Sequence, residues 1–153
     1  MDIGHERLVT LVERLLNGEI VLPDIQRDFV WSGSKIPRLL DSLYMEWPVG
    51  SILLWHTALD VPIKTAAVVQ GVPVGVRPAI LLDGQQRMTT LARVMAPNQV
   101  RTASVRRTSG IRFHPGRREF KTANAVQAKD PMWLSVSEIL KSGAQFRELL
   151  KAE

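Results

Sequence analysis

Residues 79–91 read AILLDGQQRMTTL. The apolar run from Ala79 to Leu82 meets Asp83 and Gly84, and two glutamines and an arginine follow. Beyond them Met88, Leu91, Ala92 and Met95 recur at helical spacing. The run predicts a buried strand, PAILL, and GQQRMTTLARVM predicts the helix after it. At such a junction the first N–H groups of the helix lack internal partners, and the helix dipole is positive there. Glycine lets a ligand approach the backbone closely, and an anion, phosphate above all, is the natural occupant. The guanidinium of Arg87 can bind phosphate oxygens in bidentate fashion. Gln85 and Gln86 can orient an attacking water or bind a base or ribose edge. Asp83 can cap the helix, hold a magnesium-bound water or act as a base. A purely structural reading also stands: Asp83 as N-cap, Gly84 as tight turn, Arg87 as surface charge. The stretch is not a Walker loop, because no lysine and serine or threonine follow the glycine.

A second segment pairs the same residue types. LPDIQRDFVW, residues 22–31, carries Gln26, Arg27 and Trp31 in an apolar, extended stretch bent at Pro23 and Asp24. Trp31 is either a core anchor or a platform on which a base stacks. Two glutamine–arginine pairs of this kind can converge on one polyanionic ligand.

Around these segments the pattern predicts an α+β domain spanning residues 1–153, with a small mixed sheet and flanking helices. Leu8, Leu11, Val12, Leu15 and Leu16 place an amphipathic helix over residues 5–17, ended by Asn17-Gly18. SGSKIPRLLDSLYMEWP reads as a second helix, with Ser34 as N-cap, Pro37 in the first turn and a stripe of Ile36, Leu39, Leu40 and Leu43. GSILLWH reads as a strand covered on both faces. Residues 57–78 and 96–110 read as loops, the former with room for one edge strand. GIRFHPGRREFK predicts a hairpin around Pro115-Gly116. SVSEILKSG and AQFRELLKAE predict short helices.

Composition narrows the function classes. Of 153 residues, 45% are hydrophobic and 23% charged, as in a soluble globular protein. No window approaches the about 20 apolar residues of a membrane helix, so no membrane partner is expected. The opening MDIGHERLVTLVERLL is too acidic and amphipathic for a secretory signal. The chain has no cysteine, which excludes disulfides, thiol nucleophiles and cysteine metal sites and is compatible with a cytoplasmic location. Net charge is +5, unevenly spread: residues 1–60 hold nine acids and five bases, whereas 101–121 hold seven bases and one acid. That basic segment is either a solvated loop or a phosphate-backbone contact made by Arg101, Arg106, Arg107, Arg112, Arg117, Arg118 and Lys121.

LPDIQRDFVW, LLDSLYMEWPVGSILLW and LLDGQQRMTTL stand in the order and approximate spacing of the domain-of-unknown-function 262 family, and the chain resembles that family over roughly residues 5–142. IRFHPGRREF followed by DPMWLSVSEIL fits the family's later portion. The family includes the N-terminal half of GmrSD-type modification-dependent restriction enzymes and related phage-defence proteins, and is similar in fold to the ParB/sulfiredoxin superfamily. The resemblance implies binding and hydrolysis of a nucleoside triphosphate, GTP or ATP with Mg2+, that controls an attached or separate nuclease module. Carried over, the family's DGQQR motif is Asp83, Gly84, Gln85, Gln86 and Arg87, and its QR…W element is Gln26, Arg27 and Trp31. Asp83, Gln86 and Arg87 are the expected catalytic residues. Gln26, Arg27, Trp31, Gly84, Gln85 and Arg87 are the expected nucleotide contacts. No protein metal centre is expected. Full family members continue into a helical region and often a C-terminal HNH-type nuclease. His5, His56 and His114 form no ββα metal pattern, so this chain is expected to be the N-terminal part of a longer protein without nuclease activity of its own. The alternative is a non-catalytic DNA-binding module that uses the basic segment, principally Arg101, Arg106, Arg107, Arg117 and Arg118.

Overall fold

The computed structural model describes residues 4–23, 31, 34–59, 62, 75, 77–100 and 110–141. The chain order is α1 (Leu8–Leu16), β1 (Ile20–Val21), α2 (Lys35–Tyr44), β2 (Leu53–Trp55), β3 (Ala79–Asp83), α3 (Gln85–Met95), β4 (Ile111–His114), β5 (Glu119–Thr122), a 3₁₀ turn (Gln127–Lys129), β6 (Leu134–Ser135) and α4 (Val136–Lys141). This is a small α+β fold. Among the described residues no helix is long and apolar enough to cross a membrane.

The expected mixed sheet is present, three-stranded in the order β1-β3-β2. β1 runs parallel to β3, with Ile20 opposite Ala79, and β2 runs antiparallel to it, with Leu54 opposite Leu81. A shift in register between Leu53 and Leu54 sets Leu53 opposite Asp83. β3 is central: Ala79, Ile80 and Leu81 are buried, whereas Leu82 and Asp83 reach solvent. The strand therefore carries the chain from the core to the surface where α3 begins. β2 differs from expectation. It is an edge strand with Leu53 and Trp55 exposed, not a strand covered on both faces. A short apolar run has the same composition at an edge as at the centre of a sheet, so composition alone did not separate the two. His56, just beyond it, is exposed as well.

A second three-stranded sheet, β5-β4-β6, is antiparallel throughout. Its hairpin turns at Pro115–Arg118 as predicted. The Arg118 N–H donates to the Pro115 carbonyl at 3.0 Å, and the Arg117 N–H to His114 Nδ1 at 3.2 Å. Phe113 and Phe120 pair across it with centroids 4.7 Å apart, and Tyr44 of α2 closes on Phe113 at 5.5 Å. β6 pairs with β4 through Leu134 and was not expected from the sequence.

The predicted helix stripes are the ones that face inward. Val12 and Leu15 of α1 and Ile36, Leu39 and Leu40 of α2 are buried in one cluster with Leu81, Met88 and Leu91. Ser34 occupies the N-cap position of α2, but its backbone is helical and its hydroxyl makes no capping bond. α3 is buried far beyond the predicted face. Besides Met88, Leu91 and Ala92, it buries Thr89 and Thr90 completely and leaves Arg93 only 4% exposed. Burial lowers the Arg93 guanidinium from its ordinary pKa by desolvation. A helix enclosed on nearly all sides is fixed in position by packing, so its N-terminal end is held on a rigid mount.

Candidate functional site at the β3–α3 junction

The junction is built around Gly84. Its φ of +93° is left-handed, where side chains other than glycine are strained, and it occupies the N-cap position of α3. The Met88 N–H donates to the Gly84 carbonyl at 2.9 Å and closes the first helical turn. A Cβ at Gly84 would collide with Ile52 Cδ1, the far end of a flexible side chain, so a larger residue here requires Ile52 to move. Asp83 is therefore not the cap. Its carboxylate, 70% exposed, lies 3.3 Å from Arg87 Nη2.

Arg87 is not a free surface charge either. Its side chain is 16% exposed, and Nη1 donates to the Val49 carbonyl at 2.7 Å. The guanidinium lies across Gly50, whose φ is +88°, so closely that a Cβ there would sit 2.6 Å from Nη1. The position of a Cβ on Gly84 is 3.5 Å from Nη2. Gly50 thus makes room for the guanidinium, whereas at Gly84 a Cβ would be in ordinary contact with it.

Trp31 and residues 82–87 line a cavity of about 370 Å³ at this junction. Small-molecule sites commonly have volumes of about 300–1,000 Å³. Trp31 is half-buried and packs against the core on one side, with Lys35 Nζ 5.9 Å from its ring centroid. It is thus both core neighbour and cavity wall. Gln85 is 7% exposed and lines the cavity. Gln86, 9% exposed, lies beside it.

Of the expected site residues, the structure gathers Trp31, Asp83, Gly84, Gln85, Gln86 and Arg87 around one cavity. Gln26 and Arg27 lie outside the described residues, as do Arg101, Arg106 and Arg107. Arg117 and Arg118 are exposed in the β4–β5 turn, Arg118 with a φ of +51°. Arg112 instead donates to the Trp133 carbonyl at 2.8 Å. Lys121 pairs with Glu119 at 2.8 Å and lies over the Trp133 ring. The sequence reading missed Val49, Gly50 and Ile52 as parts of the site. Their signal was the Pro-Val-Gly turn inside LLDSLYMEWPVGSILLW, which marks a sharp bend but not what packs on it.

Fold and junction together define a small α+β unit with a polar cavity at the head of a buried helix. The chain belongs to the GmrSD restriction endonuclease N-terminal domain family, which it matches over residues 9–151. It is also similar to the uncharacterized protein MJ0686 of Methanocaldococcus jannaschii, with 34% identity over 108 residues that cover 64% of this chain. Those residues are 19% of the relative, so the chain spans about a fifth of that protein's length.

Proposed function

We infer that the chain binds a nucleoside triphosphate, GTP or ATP, at the head of α3 and hydrolyses it as the regulatory part of a restriction or phage-defence system. The observation that carries this reading is the cavity that gathers Asp83, Gly84, Gln85, Gln86 and Arg87 beside Trp31. The phosphates lie against the first N–H groups of α3. Arg87 meets their charge from a fixed position. Gln85 binds a phosphate oxygen, Gln86 aligns the attacking water, and Trp31 meets the base. Asp83, exposed at the mouth, fits a magnesium ion that keeps most of its waters and is otherwise held by phosphate. Among the described residues no group of three His, Cys, Asp or Glu forms a cage for a metal by itself, so the ion is expected to arrive with the nucleotide. When bound it supplies charge neutralisation. A nuclease module, on the same polypeptide or separate, is the element such a nucleotide switch controls.

A titration with GTP, ATP and CTP in magnesium, followed by phosphate release, tests the reading. The expected result is saturable binding of at least one nucleotide, weakened about tenfold or more by Gln85→Ala, since the loss of a hydrogen bond to a charged group is worth about 1.5–3 kcal/mol. Absence of binding at millimolar nucleotide, or an unaffected variant, contradicts it.

The exposed Arg117 and Arg118 in the β4–β5 turn favour a second reading, contact with DNA phosphates. Its signature is DNA affinity that falls steeply with salt and persists without nucleotide.

A further inference from the structure

We propose that the Asp83–Arg87 ion pair is a gate that makes the triphosphate and its divalent cation bind together, neither binding well alone; this rests on the nucleotide reading of the same cavity. The guanidinium has one firm attachment and one weak one. Nη1 donates to the Val49 carbonyl at 2.7 Å, beside Gly50, where no side chain intervenes. Nη2 faces Asp83 at 3.3 Å, longer than the about 2.7–2.9 Å of a strong charge-assisted bond. The carboxylate is 70% exposed, so most of it already faces solvent. The Nη2 edge is thus the half of Arg87 able to change partners while the Val49 bond holds.

Each ligand alone meets an obstacle that the other removes. A metal-free triphosphate that draws Nη2 away leaves an uncompensated carboxylate beside its own negative charge. Like charges about 4 Å apart repel by about 4 kcal/mol near a protein surface and by about 1 kcal/mol in bulk water. A divalent cation alone approaches a carboxylate whose charge Arg87 already offsets. When both arrive, Nη2 turns to a phosphate oxygen and the freed Asp83 carboxylate accepts from a water of the hydrated cation. One long ion pair is exchanged for two favourable contacts. By linkage the tightening is reciprocal, and couplings of this kind typically span about 5- to 150-fold.

Equilibrium dialysis with labelled GTP and ATP, for the whole chain and for Asp83→Asn, with magnesium or with EDTA, separates the possibilities. The expected result for the unaltered chain is binding at least about tenfold tighter with magnesium. In Asp83→Asn that ratio falls below about threefold, chiefly because metal-free binding tightens. A thermal melt checks that the exposed substitution leaves the fold intact. A variant that binds more weakly with and without magnesium, at an unchanged ratio, overturns the gate and leaves the nucleotide site standing. No binding by either protein in any condition overturns the site, and the gate with it.

Discussion

Gly84→Ala is expected to destabilise the chain by about 2–3 kcal/mol in urea unfolding. At a φ of +93° an L-residue costs about 1–2 kcal/mol relative to glycine. The new methyl also meets Ile52 Cδ1. That atom is the flexible end of a side chain packed against the core, so Ile52 must leave its rotamer, at about 0.5–1.5 kcal/mol. The two contributions separate in a double-mutant cycle. Ile52→Val removes the colliding atom, so Gly84→Ala is expected to cost about 1 kcal/mol less in that background. A loss under about 0.5 kcal/mol in the unaltered background contradicts the left-handed junction, since the backbone alone exceeds that.

Arg87→Ala is expected to lower stability by about 1.5–3 kcal/mol, the usual effect of losing a hydrogen bond from a charged donor. The Val49 carbonyl loses its partner, and the space over Gly50 is emptied. The ion pair with Asp83 contributes little to this figure, because the carboxylate is largely in water. Triphosphate affinity is expected to fall by about tenfold or more with the lost charge. Arg87→Lys distinguishes the two roles. An ammonium keeps the charge but lacks the planar fork that reaches Val49 and Asp83 together. Stability is therefore expected to remain near that of Arg87→Ala, while part of the nucleotide affinity returns. A lysine variant as stable as the unaltered chain contradicts the bracing role.

The junction was legible because its signals are local. An apolar run followed by Asp-Gly and a helical repeat marks strand, turn and helix within thirteen residues, 79–91. α1, α2 and the β4–β5 hairpin were legible for the same reason. What was not legible depends on distant pairing. β2 has the composition of a covered strand and lies at an edge, because the position of a strand in a sheet is set by which strands pair beside it. β6 is two residues long and runs straight into α4, too short for any alternation to register. Thr89, Thr90 and Arg93 stand outside the repeat of Met88, Leu91, Ala92 and Met95, yet they are buried as well. The partner of Arg87 lies 38 positions earlier and is a backbone carbonyl, a group that every residue carries and no sequence pattern marks. N-capping was one of the readings open for Asp83, because aspartate is a frequent cap. Gly84 takes that position because the chain must bend left-handed to pass Ile52.

The central claim is that the head of α3 and Trp31 form one triphosphate site. The most direct measurement is a crystal structure of the chain with magnesium and a non-hydrolysable triphosphate. The account predicts phosphates at the first N–H groups of α3, the base beside Trp31, and Arg87 Nη2 turned from Asp83 to a phosphate oxygen with Nη1 still on Val49. Nucleotide bound elsewhere on the molecule, or a cavity without nucleotide at saturating concentration, contradicts it.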